Sequence, residues 1–372
     1  MGVPDVVHFI HALNDRAIAD VATRLAEQMR HQGLGVAIVA SAVMPEAPRA
    51  SDIEVIDLGG SGRRTVFRMP ALASALRKLR PATIFAHAEG PARAALVATR
   101  GMRARPRLVG IVHNHYSSYP WKAPRVRRFL DSVAFRSLDC VVGVSPGVAS
   151  DLRRTFPAAA DRVRMVPEPL TRWDALAELA AEPIDQPWLD QRRPTLVTVG
   201  HVHPRKDHET LVRAIAELRT RGEVVPRVAI IGSDGDAYAG HVRRLIDELG
   251  LQDDIALLGA IPNPLPYVAA ADAFVLSSRN EGLGIVLLEA MGLGTPIIST
   301  DAPSGPRWVL EDGRCGVMTP VGDPPALADA ITRLLADEPM RRQLVQAGRE
   351  RAREFTPASV AGQYLELAES LR

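Results

Sequence analysis

Short apolar runs alternate with longer stretches of helical period along almost the whole chain. In the first half, DVVHFI (5–10), VAIVAS (36–41), TIFAHA (83–88), RLVGIVH (107–113), CVVGVS (140–145) and VRMVP (163–167) are continuous apolar runs of the length of buried strands. Between the first two, DRAIADVATRLAEQMRHQG sets Ile18, Val21, Ala22, Leu25 and Met29 on one helical face, and Gly33 closes the helix. Strand, helix, strand in this rhythm predicts a parallel sheet with helices on both faces. A Pro-broken stretch, AEPIDQPWLDQRRP (181–194), reads as a linker. The rhythm then resumes with TLVTVG (195–200), the helical HETLVRAIAELRTRG, RVAIIG (227–232), IALLG (255–259), AFVLSS (273–278) and TPIIST (295–300). The tail PASVAGQYLELAESLR is a last amphipathic helix. The pattern predicts an α/β protein of two tandem doubly wound, Rossmann-like domains, whose ligands bind beyond the carboxyl ends of the strands.

Composition supports two cores. The chain has 372 residues, 47% hydrophobic and 24% charged, which argues against global disorder. No apolar run reaches the ~18 residues of a membrane-spanning helix. The N-terminus lacks the basic and apolar regions of a secretory signal. Cys140 and Cys315 are far apart and lack metal-ligand spacing, so two reduced thiols in a cytoplasmic protein are expected. Charge alters the picture more. Through residue 172, 25 Lys and Arg stand against 14 Asp and Glu, leaving +11; after it, 20 stand against 29, leaving −9. Either the halves face different partners or the first faces an anionic one. WKAPRVRRFLDSVAFR (121–136) mixes Arg125, Arg127 and Arg128 with Trp121, Phe129 and Val133. It reads either as a helix on an anionic membrane surface or as one packed on its own domain.

Three stretches carry candidate chemistry. AFVLSSRNEGLGIVLLEAMGLG reads as strand, loop and helix. Gly282 and Gly284 allow close backbone approach to an anion, and the helix behind them presents free N–H groups and a positive dipole end. Glu281 stands at the mouth, and Glu289 lies about five residues into the apolar helix, either reaching solvent or meeting hydroxyl donors. GHVHPRKDHETL (200–211) places Arg205 and Lys206 where a helix begins, as a phosphate grip or a solvated loop. It is not a P-loop, because a second glycine is missing and Asp207 follows the lysine. Asp234 and Asp236 form a D-x-D pair, read as a turn before a metal clamp. The H-x-H pairs His113/His115 and His201/His203 lack a third zinc ligand. No G-x-G-x-x-G supports a nicotinamide site.

With these residues in view, the chain resembles the family 4 retaining glycosyltransferases of the GT-B fold. AADAFVLSSRNEGLGIVLLEAMGLGTPIISTDAPSGP, with Glu281 and Glu289 seven residues apart, is similar to their hallmark segment. VGHVHPRKDHETLVRAIAEL, DDIALLGAI, GIVHNHY and DCVVGVSPGVASDL are similar to further segments. The resemblance implies an acceptor-binding domain at 1–180 and a donor-binding domain at 190–356 facing it across a central cleft, with the helix 357–372 packing back on the first. It implies contact of Glu281 with the donor sugar and diphosphate binding by the amides of Gly282, Leu283 and Gly284. It gives Lys206, with Arg205 and His201, the leaving phosphate, and Glu289 the ribose. Gly259, Ala260 and Ile261 would line the base pocket, and His113 would touch the sugar or the acceptor.

The implied reaction moves a sugar from a nucleotide-sugar to an acceptor hydroxyl, in polysaccharide, lipopolysaccharide or glycolipid synthesis. No tightly bound cofactor, no metal and no nucleic acid are expected. DAPSGPRW resembles members that use UDP-sugars, N-acetylhexosamines among them; GDP-sugars are the alternative. The expected place is the cytoplasm, peripheral on the inner membrane face, with a glycan or lipid-linked acceptor. A transferase for a small natural product, or a non-catalytic nucleotide-sugar binder, are the other readings. The chain departs from the family pattern in four places, of which the first three motivate the non-catalytic reading. His201 stands for the usual Arg, Trp308 for a usual Glu, NDRA (14–17) for a glycine pair, and PEP (167–169) for P-N-P. The last is expected to affect only an interdomain turn.

Overall fold

A computed structural model describes residues 4–14, 17–45, 52–60, 68–118, 124–184, 193–235 and 237–371. The chain divides into two compact units, Met1–Thr171 with Phe355–Arg372, and Arg172–Glu354.

The first unit holds a parallel sheet of strands β1 (Val6–Leu13), β2 (Val36–Val43), β3 (Glu54–Asp57), β4 (Thr83–His87), β5 (Arg107–Val112), β6 (Cys140–Gly143) and β7 (Val163–Met165). Their order is β3-β2-β1-β4-β5-β6-β7. The run Val6–Ile10 is buried throughout, as a strand covered on both faces must be. The helix Ala17–His31 buries Val21, Ala22, Leu25 and Met29, the face that the spacing predicts. The chain returns to this unit at its end: Leu170 donates its N–H to the Phe355 carbonyl at 2.7 Å. The helix Pro357–Ser370 then packs on Ala17–His31, with Tyr364 edge-on to Phe85 of β4 at 5.5 Å. Thr356 caps that helix and Pro357 opens it.

The second unit holds β8 (Thr195–Val199), β9 (Arg227–Ile231), β10 (Ile255–Gly259), β11 (Ala273–Leu276), β12 (Ile297–Thr300) and β13 (Val317–Thr319). The order is β10-β9-β8-β11-β12-β13, again parallel. Leu196, Val228, Ile230, Val275 and Ile298 from the strands meet Leu211, Ile215, Val242, Ile331 and Leu334 from the helices in one core.

Two strands go beyond the sequence expectation. β3 (EVID) is a mostly exposed edge and β13 (VMT) spans three residues, so neither carries an apolar run. The segment 172–180 belongs to the second unit, where the short helix Leu176–Ala180 packs on the helix Leu265–Ala270. Residues 185–192 of the expected linker, 121–123 of the basic stretch, Asp15 and Arg16 of NDRA, and Asp236 lie outside the described residues. Both cysteines are buried free thiols; burial pushes Cys140 up to about 12 and Cys315 up to about 11. No helix among the described residues is long and apolar enough to cross a membrane.

In each sheet the strand order reverses once, between β1 and β4 and between β8 and β11. Such reversals open a crevice at the carboxyl ends. In the second unit this edge is held by close backbone packing. Gly200 donates to the Ile231 carbonyl and Gly232 to that of Gly259, both at 2.8 Å. A Cβ on Gly232 would lie 2.0 Å from the Gly200 carbonyl oxygen, whereas one on Gly235 would meet nothing within 4 Å. Gly232→Ala is expected to destabilise the protein by about 3 kcal/mol and Gly235→Ala by well under ~1 kcal/mol, compared by chemical denaturation. Equal effects would refute the packing account.

Candidate functional site

The reversal between β8 and β11 brings two loops together. After β8 the chain passes Gly200 and makes a tight turn at Pro204–Lys206. Asp207 follows in the left-handed region (φ 48°) and starts the helix His208–Thr220. Its buried carboxylate accepts from Thr210 Oγ1 at 2.7 Å and pairs with Arg279 at 2.9 Å. Arg279, in the loop after β11, donates its backbone N–H to the Arg205 carbonyl at 2.8 Å. Ser277 Oγ donates to the Lys206 carbonyl at 3.0 Å. Three of these contacts therefore fix the loops on each other before any functional side chain is considered.

Between them meet two residues that the sequence singles out separately. Lys206 Nζ stands 2.7 Å from Glu281 Oε1, with the side chains 13% and 9% exposed. Ser278 Oγ donates to the same carboxylate oxygen at 2.6 Å. Burial alone would raise the pKa of Glu281. The Lys206 ammonium, the hydrogen bonds from Lys206 and Ser278, and the Arg205 charge outweigh it and hold the group below the usual carboxylate range. His208, at the helix start, is pushed down to about 3 by burial and by the neighbouring Lys206 and His201, so it is neutral at pH 7.

Gly282, Leu283 and Gly284 follow Glu281 as a buried loop. A Cβ on Gly305, in the GPR segment, would lie 2.1 Å from the Leu283 carbonyl oxygen, so GPR and GLG form one packed wall. The helix Ile285–Leu293 starts at Gly284 (φ 90°) with no side chain capping its first turn. Its leading N–H groups and dipole therefore favour an anion. Glu289 is the fifth residue of this helix and is half-buried. Gly259 ends the edge strand β10, and Ala260 and Ile261 follow it into the loop. His201 is exposed and bonded through Nδ1 to Ser233 Oγ. The Arg351 guanidinium lies 4.8 Å over the Trp308 ring. Asp234 pairs with Arg243, in keeping with a turn. Among the described residues no group of three ligands could hold a metal.

His113 belongs to the first unit, just beyond β5. It is buried, and Nδ1 lies 2.5 Å from Glu168 Oε1. PEP is therefore more than the turn the sequence suggested: its glutamate is a buried partner of His113. A register of single residues gives no sign of this, because the two are 55 positions apart. His113 also lines a cavity of about 230 Å³ with Ile18, Ala88, Glu89, Asn114, Tyr116 and Arg127, at the β1/β4 reversal. His115 turns elsewhere, to Ser118 Oγ at 2.7 Å. Ser277, Ser278, Asp207 and Arg279 are the other site residues that sequence reasoning missed. Ser278, three positions before Glu281 in a turn, was the most readable of them.

Because the folded pKa of Glu281 is depressed, its stabilising contribution is present above the unfolded value of ~4.3 and is lost as pH falls through the folded value. Lys206→Ala leaves a buried carboxylate without its cation. The variant should lose about 3 kcal/mol at pH 7, and the deficit should shrink as pH falls from the unfolded value of ~4.3 through the depressed folded value of wild-type Glu281. Denaturant titrations at pH 7 and across that fall check this; a pH-independent deficit would contradict it.

Comparison with known proteins bears on the family and the fold. The model for Glycosyltransferase Family 4 matches residues 18–171, and that for glycosyl transferases group 1 matches 182–351. A lipopolysaccharide core biosynthesis glycosyltransferase, LpsE of Rhizobium meliloti, is 31% identical over 63% of this chain and 66% of its own. The chain spans 66%, 61% and 48% of the length of three curated relatives it matches. Sucrose-phosphate synthase from Thermosynechococcus elongatus superposes with a TM-score of 0.80 at 23% identity, over 98% of both chains. HepE of Anabaena, in a complex with UDP-glucose, gives 0.78 at 16% identity over 98% and 99%. At these identities the structural matches speak for the fold. With both family models matched in succession along it, the chain belongs to the family 4, group 1 glycosyltransferases, of GT-B type.

Proposed function

We propose that the protein transfers a sugar from a nucleotide-sugar to an acceptor hydroxyl, with retention of the anomeric configuration. The observation that carries this reading is the buried Lys206–Glu281 pair at the β8/β11 reversal, continuous with the glycine-opened helix. A diphosphate takes the Lys206 ammonium, the Arg205 guanidinium and the N–H groups beginning at Gly282. Glu281 then accepts hydroxyls of the donor sugar, and Glu289, further along the helix, accepts those of the ribose. The segment Gly259–Ile261 receives the base. As the bond from sugar to phosphate breaks, charge grows on the leaving oxygen, and fixed cations and helix dipoles stabilise it most at that moment. The complexes of HepE with UDP and UDP-glucose support a UDP-sugar as donor. The names of the relatives, lipopolysaccharide core and undecaprenol-linked glycan transferases among them, support a glycan or lipid-linked acceptor.

The helix Pro124–Ser137 supports a membrane-borne acceptor. Val126, Phe129, Leu130 and Val133, spaced as one helical stripe, are 44–67% exposed, while Ala134 and Phe135 are buried. Arg125, Arg128 and Arg136 flank the stripe and are exposed. An apolar stripe edged by arginines suits the headgroup zone of an anionic bilayer. The expected address is the cytoplasmic face.

Transfer assays with a panel of UDP- and GDP-sugars should show turnover. Lys206→Ala and Glu281→Ala should each lower kcat by about 10²- to 10³-fold. Nucleotide binding with no turnover on any acceptor or on water would favour a non-catalytic binder. Co-sedimentation should show binding to vesicles containing phosphatidylglycerol at low salt, weakened by Phe129→Asp and absent with phosphatidylcholine alone. No binding at low salt would remove the membrane from the reading.

A further inference from the structure

The first unit carries a buried polar ladder. Met29 Sδ lies 3.4 Å from His8 Nε2, and His8 Nδ1 lies 3.0 Å from His87 Nε2. The His87 ring stacks on His113 at 5.6 Å and 15°, and His113 Nδ1 meets Glu168. The proton positions follow from what each end can do. A thioether sulfur only accepts, so His8 Nε2 carries a hydrogen. Burial pushes His8 down to about 3, and burial with the neighbouring His8 and His113 pushes His87 well below its ordinary value, so both are neutral at pH 7. His8 Nδ1 is then an acceptor, His87 Nε2 the donor to it, and His87 Nδ1 a bare lone pair. The ring under His113 offers it no proton.

At the other end a carboxylate only accepts, so His113 Nδ1 must donate to Glu168. Both side chains are more than nine-tenths buried. His113 Nε2 has no hydrogen-bond partner among the described residues. Its neighbours around the cavity are committed: the Tyr116 hydroxyl donates to Asp131 at 2.7 Å, and Arg127 pairs with Glu89 at 3.3 Å.

We propose that Glu168 is a positioning residue that fixes the Nδ1–H tautomer of His113, so that Nε2 accepts a hydrogen bond from a sugar hydroxyl. This rests on the sugar-transfer reading for its ligand, though not for the tautomer. An amide at position 168 could donate or accept and would leave the tautomer open; a carboxylate settles it. The hydroxyl belongs either to the donor sugar or to the acceptor glycan.

Two measurements test this. The first needs no substrate. In the full chain labelled with ¹⁵N-histidine, long-range ¹H–¹⁵N spectra identify the His113 ring through its loss in His113→Asn. The expected pattern is a protonated Nδ1 and a bare Nε2, shifting toward Nε2–H in Glu168→Ala and in the milder Glu168→Gln. An Nε2–H form in the wild type, or no change in either variant, would overturn the assignment whatever the protein's reaction. The second is a double-mutant cycle. Glu168→Ala and His113→Ala should each lower kcat/KM by about 10-fold, the double variant should lose no more than the worse single, and Glu168→Asp should recover part. Multiplicative losses would overturn the coupling. With UDP-glucose hydrolysis as one arm and transfer as the other, a raised donor KM in both assigns the hydroxyl to the donor sugar. A loss confined to transfer assigns it to the acceptor.

Discussion

A lysine ammonium and a glutamate carboxylate held in contact away from water make a demanding arrangement, and much of the second unit serves it. Desolvating two charges costs several kcal/mol for each ion unless further hydrogen bonds complete the geometry. Here Ser278 supplies one such bond and Arg205 a second positive charge. The two partners stand 75 positions apart in sequence. They meet because the strand order reverses between β8 and β11. Asp207, Arg279 and Ser277 then tie the two loops together through polar contacts that touch neither charge. The pair is thereby preformed.

The first unit uses the same topology for the opposite chemistry. At its own reversal, between β1 and β4, stand neutral imidazoles in place of an ion pair. Neutral rings suit hydroxyls, which need acceptors more than charge. The positive excess of this half lies elsewhere, on surfaces such as the helix Pro124–Ser137. This unit thus keeps buried neutral histidines inside and exposed arginines on its surface.

What was legible in the sequence follows from what each feature needs. Long apolar strands buried on both faces announce themselves, and the two sheets were readable from them. β3 and β13 were not, because an edge strand of three or four residues needs no apolar run. Glu281, Glu289 and the glycines between them were readable because they lie in one local run of loop and helix. Glu168 was not, because its meaning depends on a partner 55 positions away across parallel strands. The segment 172–180 carries no composition that separates it from the first unit; it joins the second through packing on Leu265–Ala270.

One signal in the sequence was stronger than its local context. The chain has 45 Lys and Arg, and only Lys78, Lys122 and Lys206 are lysines. A composition so strongly biased to arginine should place arginine wherever a generic positive charge suffices. Position 206 has a reason to resist. The Lys206 stem passes Gly200 so closely that a Cβ there would lie 2.9 Å from Cε. A slim stem with a compact point charge suits that close approach, whereas a guanidinium is planar and fixed in its fork. The glycine after β8 and the lysine six residues later are thus one device. The glycine clears the path, and the lysine delivers a point charge to the carboxylate at the end of it.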